Sequence, residues 1–86
     1  MRKVWSEQAW EDYLYWQKQD RRTLKRINQL IEDVERHPFE GIGKPEHLRH
    51  VMPDVWSRRI DQKNRLIYSV VDDSLLISSV KNHYSD

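Results

Sequence analysis

The segment Pro38-Phe39-Glu40-Gly41-Ile42-Gly43 divides this chain into two stretches whose apolar residues repeat with different periods. Upstream, Leu24, Ile27, Leu30, Ile31 and Val34 follow steps of three and four, the spacing of one helical face. Pro38 has no backbone N–H to continue such a helix, and Gly41 and Gly43 break any continuation. Downstream, short runs rich in Val, Ile, Leu and aromatic residues are separated by polar clusters, the pattern of strands joined by turns.

Arg2 to Trp5 reads as a short strand. Ser6 is the N-cap of a first helix over about Glu7 to Lys18, with the Glu7 carboxylate at its positive end and Ala9, Trp10, Tyr13, Leu14 and Trp16 at helical spacing. Asp20 caps the second helix. Strands are predicted at Leu48 to Met52, Val55 to Asp61, Arg65 to Val71 and Leu75 to Val80, with turns at Pro53-Asp54, Gln62-Lys63-Asn64 and Asp72-Asp73. The expected fold class is α+β, in the order β-α-α-β-β-β-β: an antiparallel sheet with both N-terminal helices packed on one face, forming a single domain over residues 1–86.

Eighty-six residues bury too little surface for a second core or a deep internal cavity, so any active surface is expected to be an open groove. A net charge of +1, from 15 Lys and Arg against 14 Asp and Glu, does not itself point to a polyanion. The distribution says more: acids gather at Glu7, Glu11 and Asp12 and at Glu32, Asp33 and Glu35, which leaves basic faces elsewhere. There are no cysteines, which excludes disulfides, thiolate metal sites and cysteine nucleophiles. The N-terminus carries no apolar run long enough for a signal or membrane segment, so a cytoplasmic protein without membrane association is the expectation.

The last third carries the chemistry. Trp56-Ser57-Arg58-Arg59-Ile60 and Arg65-Leu66-Ile67-Tyr68 flank a polar turn, and His83-Tyr84 lies near the end. With Gln62 to Asn64 as the loop, Asp61 is expected opposite Arg65 and Arg59 opposite Ile67, which puts Arg59 and Arg65 on one face. A two-residue turn at Asp72-Asp73 then brings Arg65 near Val80, with His83 and Tyr84 just beyond. Arginine binds phosphate with a planar fork, histidine moves protons near neutral pH, and tyrosine stacks on bases or donates its hydroxyl. RNA cleavage by the RNA's own 2′-hydroxyl requires a base, an acid and cations around the phosphorane, and Glu46, His83, Arg59 and Arg65 include candidates for each.

Plainer readings stand beside these. A terminal His-Tyr is commonly a solvated tail, and Glu46 after Pro45 a loop carboxylate. Trp10, Tyr13 and Leu14 fit packing against a sheet before they fit base stacking. Arg21, Arg22, Lys25 and Arg26, at the start of the second helix, fit a solvated face or a patch that docks on a large anion such as the ribosome. His37, His47, His50 and His83 have no metal-ligand spacing, no phosphate loop or serine triad is visible, and no metal or cofactor is expected.

Trp5-Ser6-Glu7 with Trp10 and Asp12-Tyr13-Leu14-Tyr15-Trp16-Gln17, Pro38-Phe39-Glu40-Gly41 with Gly43-Lys44-Pro45-Glu46, Trp56-Ser57-Arg58-Arg59-Ile60, Arg65-Leu66, Tyr68, Asp72-Asp73-Ser74-Leu75-Leu76-Ile77 and His83-Tyr84 together closely resemble the YoeB (Txe/YoeB) toxins, a branch of the RelE-like superfamily with a microbial-RNase-like fold. The resemblance spans almost the whole chain. It implies the toxin of a type II toxin–antitoxin pair, a ribosome-dependent endonuclease that cuts mRNA in the A site of the 70S ribosome, beside 16S rRNA. It further implies Glu46 as general base, His83 as general acid, Arg65 as stabiliser of transition-state charge and Tyr84 as a substrate-holding catalytic residue. Phosphate binding falls to Arg59, with Arg49 and Lys44 beside it. A homodimer, a YefM-type antitoxin and contact with operator DNA only through the antitoxin complex are also implied. Arg49 stands where the family carries lysine, and Ser85-Asp86 extends past the family's terminal tyrosine. Two rival readings are a non-catalytic module that binds RNA or antitoxin, and a RelE-fold toxin with another target.

Overall fold

Ser6 begins the first helix as its sequence position suggests, its Oγ accepting the Ala9 N–H at 3.0 Å. In the computed structural model, which describes residues 1–83, the elements are β1 (Arg2–Trp5), α1 (Glu7–Gln19), α2 (Arg21–Arg36), β2 (Glu46–His47), β3 (Trp56–Arg59), β4 (Arg65–Val71) and β5 (Ser74–Ser79). Asp20 closes α1 and opens α2, accepting the N–H groups of Arg22 and Thr23 and the Thr23 hydroxyl. That hydroxyl, foremost, holds the Asp20 carboxyl below its ordinary value.

The five strands form one sheet in the order β1-β5-β4-β3-β2. Ile27, Leu30, Ile31 and Val34 of α2 and Ala9 of α1 pack on Leu66, Tyr68, Leu75 and Ile77, so both helices cover one face. Each fully buried Leu or Ile side chain there contributes about 1.5–3 kcal/mol. The α+β class, the element order and the single helical layer therefore match the sequence reading.

Four details differ. The sheet is mixed, because β1 runs parallel to β5, with Val4 opposite Leu76; a lone N-terminal strand carries no signal of its partner's direction. The expected strand at Leu48 to Met52 is a turn in which the N–H groups of Val51 and Met52 both donate to the Leu48 carbonyl. Its apolar residues have no period-two spacing, and Val51 and Met52 are both 59% exposed. The strand that does form here, β2, is two residues long, as suits an exposed sheet edge.

The β3–β4 loop is longer than expected, so Arg59 pairs with Arg65 and Ser57 with Ile67. The shift from the expected register is two residues, an even number, and the two arginines still share a face. Finally, Trp10 and Leu14 are exposed, and the inward stripe of α1 is Ala9, Asp12, Tyr13 and Trp16.

Asp72 and Asp73 form the β4–β5 turn with φ of 47° and 60°, the left-handed pair that a tight hairpin requires. The ladder then slips: Tyr68 pairs with Ile77 but Ile67 with Ser79, leaving Ser78 as the extra residue of a bulge. Leu75, Ile77 and Val80 consequently face the helices despite the odd step between the last two. Ser79 turns to the open face.

Candidate active site

The bulge supplies the fourth member of a row that crosses the open face, through the paired residues Glu46, Ser57, Ile67 and Ser79. One step along lie Arg59 and Arg65, directly opposite each other. Glu46, Leu48, Ser57, Lys63, Arg65, Ile67, Ser79, Lys81, Asn82 and His83 line a groove of ≈ 430 Å³. A second hollow of ≈ 250 Å³, lined by Lys44, Pro45, Glu46, Ser57, Arg59 and Arg65, shares three residues with it. Glu46, Arg59, Arg65, Lys44 and His83 are thus brought to one continuous surface. Its floor is partly apolar, from Leu48 and Ile67, and its sides carry cations.

Arg65 is held back on its own loop. Its Nη1 donates to the carbonyls of Asp61, at 3.0 Å, and Asn64, at 3.4 Å. Asp61 organises that loop by accepting the N–H groups of Lys63 and Asn64 and the Asn64 amide. Burial opposes the Asp61 charge, but the Asn64 side chain, these N–H groups and the Arg65 charge outweigh it and keep the carboxyl below its ordinary value.

The segment that delivers Lys44, Pro45 and Glu46 is fixed from beneath. Arg58, fully buried, donates through Nη1 to Asp33 Oδ2 at 2.5 Å and to the Ile42 carbonyl at 3.2 Å, and through Nη2 to the carbonyls of His37 and Glu40. Its Nε donates to the Tyr68 hydroxyl, which donates to the Pro38 carbonyl at 2.7 Å. The Arg58 hydrogen bond, first of all, keeps Asp33 below its ordinary value, while burial pushes the Tyr68 phenol up. Gly43, at φ +81°, lies so close that an added Cβ would meet Leu30 Cδ2 at 2.7 Å. The Gly43 carbonyl accepts the Arg59 N–H at 2.6 Å.

The tail that carries His83 is fixed by α1. Ser6 donates its N–H to the Ile77 carbonyl and its hydroxyl to the Ser78 carbonyl, pinning the bulge. The Val80 peptide is then gripped from both sides: Asp12 Oδ2 accepts its N–H at 3.0 Å and Trp16 Nε1 donates to its carbonyl at 2.8 Å. Beyond it, the Asn82 N–H donates to Asn64 Oδ1, and Lys81 Nζ stands 4.7 Å from the centre of the Tyr15 ring. His83 Nε2 comes within 2.9 Å of the Asp12 carboxylate.

Not every candidate reaches the groove. Arg49 sits in the turn after β2 with Nε donating to His47 Nδ1 at 3.3 Å, and it lines neither hollow. Arg21, Arg22, Lys25 and Arg26 lie at the start of α2, in the helical layer on the other side of the sheet. Arg21 and Lys25 line a shallow hollow with Gln17, Leu24 and Asn28. Tyr84 falls outside the described residues. From the sequence, Asp12 is one of a cluster of acids and Arg58 one of a run of basic residues, and neither is assigned a buried role. The available signals were Asp12 on the inward stripe of α1, and Arg58 alternating with Ser57 and Arg59 along a strand.

Residues 5–84 match a family model described as the YoeB-like toxin of bacterial type II toxin–antitoxin system. The chain is similar to Toxin YoeB of Escherichia coli (strain K12), 56% identical over 84 residues that cover 98% of this chain and 100% of that one. It superposes on YoeB in a heterotetrameric YoeB–YefM toxin–antitoxin complex from Staphylococcus aureus with a TM-score of 0.91 at 42% identity, covering 98% of each chain. A YoeB dimer from the same organism gives the same TM-score, identity and coverage.

Proposed function

Given that the chain belongs to the YoeB-like toxins of bacterial type II toxin–antitoxin systems, we propose that it is a metal-independent, ribosome-dependent endoribonuclease that cuts mRNA in the A site and so stops translation. The observation that carries the reading is the order of groups across the sheet. Glu46 stands on β2, Arg59 and Arg65 on β3 and β4, and His83 follows β5. In-line displacement at phosphorus needs the attacking and departing oxygens on opposite sides, and this order sets a carboxylate and an imidazole on either side of a cation pair. Three strand spacings separate the two backbones, roughly 14 Å, a span that a phosphate and two inward-reaching side chains fill.

In the proposed reaction Glu46 takes the proton of the 2′-hydroxyl as its oxygen bonds to phosphorus. His83 gives a proton to the 5′-oxygen as its bond to phosphorus breaks. Arg65, with Arg59 on the neighbouring strand, balances charge that grows on the non-bridging oxygens. The products are a 2′,3′-cyclic phosphate, which can open to a 3′-phosphate, and a 5′-hydroxyl. Tyr84 holds the substrate, and Lys44 and Arg49 extend the phosphate track.

An open groove on so small a chain has little with which to bend a strand into line, and the ribosomal A site supplies that constraint. Arg21, Arg22, Lys25 and Arg26 are assigned to docking on 16S rRNA. Arg21 and Arg22, in the first turn of α2, oppose the helix dipole, which supports a role beyond stability. The homodimer and the YefM-type antitoxin extend to this chain from the Staphylococcus aureus assemblies; operator DNA is reached through the antitoxin, and the work is done in the cytoplasm. Among the described residues no helix is long and apolar enough to cross a membrane.

Primer extension on translating ribosomes with purified protein tests the reading. Cuts confined to A-site codons, and absent from naked message, are expected. Ribosome binding with intact message would indicate a non-catalytic module, and equal cutting of free and bound message would remove the ribosome from the mechanism.

A further inference from the structure

His83 is the last described residue of a tail with no strand to hold it, yet its ring is fixed from one side by a carboxylate 71 positions earlier in the chain. Asp12 is 2% exposed. A carboxylate kept from water needs donors, and three meet it: the Gln8 amide at 3.0 Å, the Val80 N–H at 3.0 Å and His83 Nε2 at 2.9 Å. The His83 side chain itself is 40% exposed and borders the groove. One edge of the ring is therefore held by the protein and the other is open to substrate.

We propose that Asp12 is the positioning residue for His83, holding the imidazole through Nε2 so that Nδ1 is the nitrogen that exchanges a proton with RNA. A carboxylate accepts but does not donate, so the proton between the two sits on Nε2, which fixes the tautomer and the ring's orientation together. The same carboxylate ends β5 at Val80, and the direction of the tail and the pose of its histidine are set by one buried group. The inference rests on the acid role proposed for His83 and names the atom through which that role is exercised.

Asp12→Asn is the informative variant. Its amide oxygen can still accept the Val80 N–H, while its N–H group meets Nε2 with the wrong polarity. Single-turnover cleavage at saturating ribosome is expected to slow about 10- to 100-fold, the size of effect seen when a group that orients a histidine is lost, with half-saturation and melting temperature little changed. In a His83→Gln background the same substitution is expected to cost nothing further. A D12N rate within about twofold of wild type beside an impaired H83Q would overturn the proposal, as would two losses that multiply in the double variant. Wild-type cutting by H83Q would instead strike down the acid role of His83 and leave the contact itself to a second measurement. The imidazole ¹⁵N spectrum of the unmodified protein reads that contact even if D12N fails to fold. Nε2 is expected to carry a proton hydrogen-bonded to Asp12, and a ring whose only proton sits on Nδ1 would overturn the assignment.

Discussion

Arg58 and Arg59 are adjacent in the chain and opposite in circumstance. Arg58 points to the helices, is wholly buried, and spends its guanidinium on a carboxylate, a phenol and three carbonyls within the protein. Arg59 points to the open face and is exposed; among the described residues its side chain has no hydrogen-bonding or ionic partner, and only its N–H is engaged, by Gly43. The pleat alone separates them. A charge run in a strand thus divides its labour by parity. One arginine builds the wall that carries Lys44 to Glu46, and the other faces whatever that wall encloses.

The largest effect separates the two most sharply. Arg58→Ala leaves the Asp33 carboxylate without its cationic partner and the His37, Glu40 and Ile42 carbonyls without the guanidinium, and is expected to cost about 3–5 kcal/mol by chemical denaturation, with activity lost along with the fold. Arg58→Lys restores charge but not the fork, and recovers only part of this. A stable Arg58→Ala protein would contradict its structural role.

The open face is expected to behave in the opposite way. Glu46→Ala and His83→Ala should slow A-site cleavage by about 10² to 10⁴, and Arg59→Ala or Arg65→Ala by about 10² to 10³. Stability should stay within about 0.5 kcal/mol for Glu46→Ala and Arg59→Ala, measured as urea midpoints beside single-turnover rates. If Arg59→Ala destabilises as much as Arg58→Ala, the division by parity fails.

Gly43→Ala probes the seam between the two regions. The new methyl would press on Leu30 at a left-handed backbone position, for a loss of about 1–3 kcal/mol, and cleavage should fall by more than that loss of folded protein explains, because Glu46 moves with the loop. A smaller effect lies in acid. The Asp33 carboxyl is held below its ordinary value of 3.8, so its contribution is fully present above that value and lost as pH falls through the lowered one. The stability deficit of Asp33→Asn is therefore expected at neutral pH and should shrink below pH 3.8 in acid titrations. The smallest change is expected at Arg21, Arg22, Lys25 or Arg26. There, single alanines should raise the half-saturating ribosome concentration and reduce its salt dependence without altering the rate at saturation.

What could be read from the sequence follows the same boundary. Period-three-and-four spacing in α2, the caps at Ser6 and Asp20 and the Asp72-Asp73 turn are local signals, and each held. The placement of Arg59 and Arg65 on one face survived a misjudged loop because the slip was even. Long-range facts had no local signal: the parallel β1, the slip at Ser78 that turns Ser79 to the groove, and the Leu48 to Met52 turn at an edge with nothing to bury against. Of the candidate site, Glu46, Arg59, Arg65 and His83, which line the groove and the hollow beside it, were legible in their residue types. The groups that hold them, Arg58 with Asp33 and Asp12 with His83, were not, because a buried charge and a surface charge look alike until the chain has folded.

On this proposal the groove drives attack by the message's own 2′-hydroxyl, with a base and an acid on either side of an arginine pair. The chemistry of the cut ends tests it most directly. Fragments from ribosome-bound mRNA treated with the purified protein should carry a 2′,3′-cyclic or 3′-phosphate on the upstream piece and a free 5′-hydroxyl on the downstream piece, read by mass spectrometry. A 3′-hydroxyl facing a 5′-phosphate would mean that water attacked instead, and would contradict the roles proposed for Glu46 and His83 together.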